Sequence, residues 1–347
     1  MDYPLQKDMR VLFWTGMIEP QREGVSKEVF MLHHYFRDSF VIGISPNGGF
    51  RYSREERYLG IPYTLLPTIR LWAQYAQRNF KLSHIIQGIN NYHYLKAIKR
   101  KPVILTAISV DGMLSIEHYQ KVDKVVVECN RDRDTLLSYG FRPDKIELIY
   151  PGVDLSAFDS GNQLAEGRFK VLFLSSPFSF EYMEPRGIQL LLNVAKILED
   201  VEFILLWRKR GDTYPKVTKW IKELSLPNVK LMHEDVKDMR EMYIKTHATV
   251  LPFTTDKFTK SCPNSAIESL TARRPLLISD EVGVSDIVQS EACGVVFNPT
   301  VEGLKEAIVK LQHGYFDYQK KARSCAIKYF DKSRFIQSYE GLYRKFI

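Results

Sequence analysis

Two successive sets of short apolar runs constrain the fold of this 347-residue chain more than any other feature of its sequence. The first set comprises residues 11–14, 40–44, 84–86, 103–105, 124–127 and 146–150, and the second comprises residues 170–174, 201–207, 229–232, 248–251 and 275–279. Many of the intervening segments carry apolar residues at helical spacing, as at Val25, Val29 and Leu32. Strands that alternate with helices predict parallel sheets covered on both faces. The sequence therefore predicts an α/β fold with two doubly wound domains.

The division into two domains agrees with the chain length, because a domain typically has about 150 residues. A polar stretch, Asp159–Asn162, separates the two sets of runs. We therefore expect an N-terminal domain of residues 1–158, a C-terminal domain of residues 159–330 and a last helix within residues 331–347. In open parallel sheets, ligands bind beyond the carboxyl ends of the strands. We expect the two domains to face each other across a cleft that holds the active site.

Several classes of protein are excluded by what the sequence lacks. Its four cysteines include no C-x-x-C pair, which argues against a disulfide scaffold and a thiolate zinc site. Neither the G-x-G-x-x-G nor the G-x-x-x-x-G-K-[ST] pattern is present, which argues against dinucleotide enzymes and P-loop phosphotransferases. No apolar stretch suits a signal-peptide core or a bilayer span. We expect a cytoplasmic protein, peripheral to the inner face of the membrane.

The positive charge of the chain is concentrated in one region. Lys and Arg number 49 against 41 Asp and Glu, a net charge of +8. No acidic residue lies between Glu56 and Asp111, whereas eight cations do, interleaved with aromatic residues. Such a span favours an anionic glycan, an anionic membrane surface or nucleic acid as partner, or else is a solvated face without a partner. Nucleic acid is not expected, because no RNP motif, zinc finger or helix-turn-helix pattern is present.

An ordered set of motifs runs through the chain from about Val125 to Phe297. The pieces are Asp144–Leu155 with Phe158 after it, Pro263–Leu270, Pro275–Ser279, Gly283 with Asp286–Val288, and Gly294–Phe297. This set resembles the retaining nucleotide-sugar glycosyltransferases of the GT-B fold, in their large family four. The resemblance covers nearly the whole chain, and it implies two Rossmann-like domains with a last helix that crosses back to the first.

The resemblance also implies an activity and its partners. A sugar would move from a nucleotide-diphosphate sugar, used as co-substrate, to an acceptor with retention at the anomeric carbon. No cofactor and no metal ion would be required. The acceptor would bind the N-terminal domain near the acid-free span. That placement indicates an anionic or lipid-linked glycan, as in cell-surface polysaccharide biosynthesis, and peripheral membrane association through residues 57–110.

A helix predicted to start near Ser265 is the candidate donor-binding element. Free N–H groups at a helix start, at Asn264 and Ser265, can hold a diphosphate. Glu268 matches the second Glu of the family's E-x7-E motif, which binds the ribose hydroxyls of the nucleotide. Ser265 and Glu268 also have the spacing of a capping box, so the carboxylate could instead cap its own helix. Arg273 stands where the family has a helix-ending glycine, and we expect the helix to end in another way.

Several cations are candidates for gripping the leaving diphosphate. Arg186 precedes Gly187, as a cation does in the family, and is a predicted catalytic residue. Lys260 replaces the first Glu of E-x7-E and is either a second catalytic cation or a surface lysine. The family's earlier arginine is absent, because serines occupy positions 175 and 176. Arg208 and Lys209 could compensate as donor-binding residues, or could belong to a solvated turn.

The N-terminal domain contributes two further candidates. Gly24 matches one glycine of the family's G-G-V pattern, where backbone approaches phosphate, and is predicted to bind the donor. The family's T-x-H segment corresponds to Thr106–Ile108, so its histidine is absent. Asp111 or Ser109 could substitute for it, or the sugar pocket could be rebuilt, and Asp111 is the predicted catalytic residue. His84, His93 and His118 lie nearby in the sequence, and each is more typical of a satisfied or exposed histidine than of a catalyst.

The departures from the family pattern leave alternatives open. One is a GT-B protein that binds a nucleotide or glycan without catalysing transfer. A second is a nucleotide-sugar epimerase, which shares this fold. A third is nucleic-acid binding through residues 57–110, which a steep dependence on salt would reveal.

Overall fold

The computed structural model describes residues 9–100, 102–159, 165–209 and 211–347, excluding the side chain of Trp72. Lys101 of the basic span and residues 160–162 of the predicted linker lie outside the described residues. The chain forms two compact units. The first comprises Met1–Gly152 and Ser333–Ile347, of which the described part begins at Met9, and the second comprises Val153–Lys332. The sequence placed the corresponding boundaries after residues 158 and 330.

The first unit is built on an eight-stranded sheet with the order β3-β4-β2-β1-β5-β6-β7-β8. Its strands are β1 (Val11–Met17), β2 (Phe40–Ile44), β3 (Arg51–Ser53), β4 (Tyr58–Ile61), β5 (Leu82–Gln87), β6 (Val103–Ala107), β7 (Lys124–Val127) and β8 (Ile146–Leu148). Its helices are α1 (Gly24–Tyr35), α2 (Ile69–Ala76), α3 (His93–Ala97) and α4 (Asn130–Ser138), with short 3₁₀ helices at residues 63–68, 77–79, 116–119 and 143–145. All neighbouring strands are parallel except β3 and β4.

Both faces of this first sheet are buried, as its apolar strands require. Along β1, Leu12 and Trp14 point into one core, whereas Val11 and Phe13 point into the opposite core. The two-residue period of a strand produces this division. The last helix of the chain, which follows the second unit in sequence, packs on the Val11 face through five buried side chains: Phe335, Ile336, Tyr339, Leu342 and Tyr343.

The second unit is built on a six-stranded parallel sheet with the order β11-β10-β9-β12-β13-β14. Its strands are β9 (Lys170–Phe173), β10 (Glu202–Leu206), β11 (Val229–Met232), β12 (Ala248–Leu251), β13 (Leu276–Ser279) and β14 (Gly294–Phe297). Its helices are α5 (Ile188–Ile197), α6 (Tyr214–Glu223), α7 (Met239–Ile244), α8 (Asn264–Thr271), α9 (Ser285–Ser290), α10 (Val301–His313) and α11 (Tyr315–Tyr329), with a 3₁₀ helix at residues 180–182. The chain's last helix, α12, spans Lys332–Arg344.

The predicted α/β fold class is confirmed, because both units are mainly parallel sheets covered by helices. The structure adds the β3–β4 hairpin, whose antiparallel pairing the sequence did not predict. It also adds α2 within the acid-free span. Within the described part of the chain, no helix combines the length and the apolar character needed to cross a membrane.

Candidate functional site

The order of the second sheet reverses between β9 and β12. The chain first adds β10 and β11 on one side of β9, and then β12, β13 and β14 on the other. A crevice forms outside the carboxyl ends of the strands at such a point, and open α/β sheets bind their ligands there. The segments after β9 and β12, residues 174–187 and 252–263, therefore form the candidate site.

A backbone hydrogen bond and a close backbone contact join these two segments where they cross. Thr254 N donates a hydrogen bond to Pro185 O at 3.1 Å. Gly187 has a φ of +69°, and a Cβ at this position would lie 1.7 Å from the carbonyl oxygen of Pro252. Only glycine permits both this backbone conformation and this close approach. The crossing therefore fixes the backbone on both sides of Arg186.

Arg186 is half-buried at the crossing, and one of its donors is unused. Its guanidinium lies over the Phe253 ring, 4.8 Å from the centroid, and its Nη2 donates to Phe258 O at 3.3 Å. Its Nε is buried and bonds to no acceptor of the described residues. A buried donor without an acceptor costs about 1–3 kcal/mol, which an anionic oxygen at this position would offset.

The charges around Arg186 also favour an anion. Burial first, and then the neighbouring Arg208, lower the pKa of Arg186 to about 10, so the guanidinium remains protonated at neutral pH. The other ionisable group that affects this pKa is Tyr182, and no carboxylate of the described residues is among them. Two neighbouring cations in this situation repel each other, and a negatively charged ligand relieves the repulsion.

Arg208 and Lys209 follow β10, the strand next to β9, and both side chains are exposed. Arg208 N donates to Ser176 Oγ at 3.3 Å, which joins this loop to the segment after β9. The positive charge of Arg208 lowers the pKa of both Arg186 and Tyr243. Arg208 therefore acts electrostatically both on Arg186 and on the buried tyrosine of α7.

Helix α8 begins at Asn264 with Pro263 as its N-cap, and proline supplies no side-chain hydrogen bond there. Ser265 is consequently inside the helix, so the alternative that Ser265 and Glu268 form a capping box is wrong. Lys260 is half-buried, and its Nζ donates to Asn264 Oδ1 at 3.3 Å. The first turn of α8 therefore combines backbone N–H groups with a neighbouring ammonium group, as an anion site requires.

Glu268 lies one turn into α8 and is 7% exposed. Its Oε2 accepts a hydrogen bond from the hydroxyl of Tyr243 at 3.1 Å. Tyr243 is fully buried, and burial together with the adjacent carboxylate raises the pKa of its hydroxyl well above the usual value of 10. The tyrosine therefore donates to Glu268 throughout the neutral pH range.

Helix α8 ends in a left-handed turn at Arg273, whereas the sequence analysis predicted a different ending. Arg273 has a φ of +58°, its N–H donates to Leu270 O at 3.1 Å, and Arg274 N–H donates to Ser269 O at 2.9 Å. These two bonds make a Schellman ending, which glycine usually provides. The expectation of another ending is therefore wrong: the arginine adopts the strained conformation itself, and its Nε contacts Asp159 Oδ1 at 3.4 Å.

The remaining candidates lie in the first unit. Gly24 is the first residue of α1, whose N-cap is Glu23, and Glu23 Oε2 accepts from Ser26 N at 2.6 Å. The protein's own carboxylate thus binds at this helix start. Asp111 is half-buried in the loop after β6. The roles of Gly24 and Asp111 remain predictions.

His84 is a satisfied core histidine, one of the two non-catalytic possibilities that the sequence left open. It is fully buried, with Nδ1 2.6 Å from the Tyr343 hydroxyl and Nε2 2.7 Å from Thr106 Oγ1. Both ring nitrogens are therefore satisfied within the first unit, and the histidine has no position left for chemistry.

All the predicted site residues except Gly24 and Asp111 lie in the second unit. The structure links Arg186 to Arg208 and to the backbone of the segment that carries Lys260, and it links Lys260 to Asn264. It adds one polar group that the sequence reading missed, Tyr243. An aromatic residue in a short amphipathic helix is typical of the core, so its position gave no signal.

The described residues contain no group of three or more His, Cys, Asp or Glu side chains arranged to hold a metal ion. The polar chemistry of the candidate site rests on guanidinium, ammonium, amide, phenol and carboxylate groups. These groups suit a ligand with phosphate oxygens and sugar hydroxyls.

Two family models match the chain, one in each unit. The model described as Glycosyltransferase Family 4 matches residues 37–157, and the model described as Glycosyl transferases group 1 matches residues 169–313. The second match includes Arg186, Arg208, Lys260 and Glu268. No curated protein matched the chain.

Solved structures of glycosyltransferases have the same fold over nearly the whole chain. A glycosyltransferase from Rickettsia africae is 16% identical with a TM-score of 0.76, covering 98% of this chain and 99% of its own. The sucrose-phosphate synthase of Thermosynechococcus elongatus is 15% identical with a TM-score of 0.77, covering 97% and 98%. The HepE protein of Anabaena, solved with UDP-glucose, is 15% identical with a TM-score of 0.77, covering 97% and 100%.

The chain therefore has the GT-B fold, with a Rossmann-like sheet in each unit. It belongs to the glycosyltransferases that carry a family 4 domain followed by a group 1 domain, and it is an enzyme of that class.

Proposed function

We propose that this glycosyltransferase moves a sugar from a nucleoside-diphosphate sugar to a saccharide acceptor with retention of the anomeric configuration. The observation that carries the proposal is the unbonded Nε of Arg186, beside Arg208 and at the switch point of the second sheet. A diphosphate supplies both the acceptor oxygens and the negative charge that this position needs. The presence of UDP-glucose in the Anabaena HepE structure supports this class of donor.

In this proposal the second unit stabilises the leaving group. Arg186 and Lys260 are the catalytic cations, Arg208 and Lys209 add positive charge, and the N–H groups of Asn264 and Ser265 add fixed donors. Such groups are preorganised for the charge that develops on the diphosphate, so no metal ion or cofactor is needed. The carboxylate of Glu268 accepts from the two ribose hydroxyls of the nucleotide.

The bond between the anomeric carbon and the diphosphate oxygen breaks as the acceptor hydroxyl bonds to the same face of that carbon. The hydroxyl proton passes to the departing diphosphate, so the protein supplies no nucleophile. On the first unit, we propose that Asp111 acts at the transferred sugar and that backbone at Gly24 approaches the donor. The acceptor is a cell-surface glycan or a lipid-linked saccharide.

A panel of nucleoside-diphosphate sugars tests this function. With one of them, the full chain is expected to release nucleoside diphosphate and, with a saccharide acceptor, to form a product whose anomeric configuration by NMR equals that of the donor. Inverted product would contradict retention. Tight binding with no turnover would identify a non-catalytic binding protein, and an epimerised donor formed without acceptor would identify an epimerase.

A basic cluster on the first unit supports a membrane-linked acceptor. Lys121 Nζ donates to Ile98 O at 3.1 Å, beside Lys99 in sequence, and burial followed by the charges of Lys99 and Arg70 lowers the pKa of Lys121. Leu71 and Tyr75 are 74% and 73% exposed on the same face of α2, opposite the buried Ile69. Cations beside exposed apolar side chains fit an anionic lipid surface. We propose that the enzyme works peripherally at the inner face of the membrane through residues 57–110.

Vesicle binding tests this surface. The full chain is expected to sediment with vesicles containing phosphatidylglycerol and to be released by salt. Each cation near an anionic surface contributes about 1 kcal/mol, so the pair Arg70→Gln and Lys99→Gln should weaken binding roughly 30-fold. Tyr75→Ser removes an exposed ring from this surface and should also weaken binding, whereas the matched control Tyr139→Ser, at a 54% exposed position elsewhere on this unit, should not. Binding that does not weaken with salt would count against the proposal.

A further inference from the structure

The hydrogen bond between Tyr243 and Glu268 joins two helices through their buried side chains. Glu268 lies on α8 and Tyr243 on α7, and the hydroxyl is 3.1 Å from Glu268 Oε2. An ionised carboxylate is costly to bury without hydrogen-bond donors. The tyrosine hydroxyl supplies one such donor at a fixed point.

Tyr243 itself is held firmly in place. Its carbonyl oxygen accepts from Arg274 Nε at 2.8 Å and from Thr246 Oγ1 at 3.2 Å. Its ring packs edge-on against Phe158, with centroids 6.0 Å apart. Because the backbone and the ring are both fixed, the hydroxyl cannot follow a carboxylate that turns away.

The direction of the hydrogen bond is also fixed. Burial and the charge of Glu268 raise the pKa of Tyr243 well above its usual value, although nearby Arg208 opposes part of that effect. The phenol is therefore protonated across the neutral range and can only donate to the carboxylate. Glu268 is in turn stabilised as an acceptor for further hydroxyl groups.

We propose that Tyr243 is a positioning residue that orients the Glu268 carboxylate toward the vicinal 2′ and 3′ hydroxyls of the donor's ribose. The inference rests on the proposed function, because Glu268 must bind ribose for its orientation to matter. Two hydroxyls on adjacent carbons reach one carboxylate only in a narrow range of orientations. Tyr243 thereby makes the enzyme selective for ribonucleotides over 2′-deoxyribonucleotides.

Calorimetric titration of the full-length protein tests this selectivity. The ligands are the ribonucleoside diphosphate that the wild type binds and its 2′-deoxy analogue. The wild type is expected to prefer the ribonucleotide by roughly tenfold or more, the contribution of one hydrogen bond to a charged group. In Tyr243→Phe, the Kd of the ribonucleotide should rise roughly tenfold and that of the deoxy analogue should change little. The ratio of the two Kd values should therefore approach one.

If Tyr243 had a purely structural role, the result would differ, because disturbed packing would weaken the binding of both ligands equally. Equal weakening, or an unchanged ratio, would overturn the inference. Glu268→Gln keeps an acceptor for Tyr243 but removes the charge, and it should also lose the ribose preference. Adding Tyr243→Phe to it should then cause no further loss of preference. Because the test is the ratio of two Kd values measured on one protein sample, a smaller folded fraction lowers the number of binding sites and leaves the ratio unchanged.

Tyr94→Phe is the matched control. It also removes a buried tyrosine hydroxyl, one that donates to Thr15 O at 2.7 Å in the first unit, and it should leave the Kd ratio unchanged. A wild type that binds nucleoside diphosphates without any ribose preference would overturn the inference alone. A wild type that binds no nucleoside diphosphate would overturn the proposed function and the inference with it.

Discussion

Replacing Arg186 with methionine is expected to lower kcat for donor cleavage by ~10²–10³-fold, the usual cost of losing one group that stabilises transition-state charge. The methionine side chain keeps apolar contact with Phe253, so the crossing of the two segments should survive. The buried Nε and the positive charge disappear together. The measurement is the release of nucleoside diphosphate from the donor that the panel identifies.

Two further variants show whether the effect is specific. Arg186→Lys keeps the charge but loses the planar fork and the Nε donor, so it should retain an intermediate activity. Arg142→Met removes an exposed arginine of the first unit that pairs with Asp144 at 2.9 Å, and it should leave kcat unchanged. An Arg186→Met enzyme with wild-type kcat would contradict the assignment.

Acid is expected to destabilise the first unit through two fully buried histidines. Burial lowers the pKa of His84 to about 3. Burial, assisted by the charges of Arg57 and His34 and opposed by a hydrogen bond to Glu56 O, lowers the pKa of His33 to about 4. Both values lie below 6.5, the ordinary value. As the pH falls below about 6.5, the unfolded chain binds protons that the folded unit does not, so stability falls.

The expected loss is large. Each histidine contributes about 1.4 kcal/mol per pH unit in this range, so the two together should lower the free energy of unfolding by about 4 kcal/mol between about pH 7 and about pH 5. Urea unfolding at several pH values measures it. His84→Gln, which cannot titrate, should roughly halve the slope of the free energy of unfolding against pH. His93→Gln, at an exposed position, should not change that slope. A pH-independent free energy of unfolding across this range would refute the prediction.

The strands were predictable where most of their residues are apolar or β-branched. The sequence placed β2, β7, β11 and β12 at the bounds that the structure has. Each is mainly apolar or β-branched, as is typical of a parallel strand, with Lys124 in β7 and Lys230 in β11 as the charged exceptions. The β3–β4 hairpin was missed because β3 lies at the sheet edge with Arg51 and Tyr52 exposed, so no apolar pattern marks it.

Residues of the candidate site were predictable only where they align with a family motif. Arg186, Lys260 and Glu268 were found through their order relative to Gly187 and Pro263. Tyr243 was invisible because its partner is 25 residues away in sequence, and only the folded sheet brings α7 beside α8. The capping-box alternative was wrong for a local reason: the N-cap of α8 is Pro263, two residues before Ser265, so Ser265 already lies within the helix.

The most direct test of the account compares a nucleoside with its diphosphate by calorimetry, in the wild type and in Arg186→Met. We expect the diphosphate to bind the wild type at least tenfold more tightly than the nucleoside, because charge-assisted bonds to Arg186 and its neighbours hold it. Most of that difference should vanish in Arg186→Met. A nucleoside that binds as tightly as its diphosphate, or a difference that the variant leaves intact, would contradict the central claim.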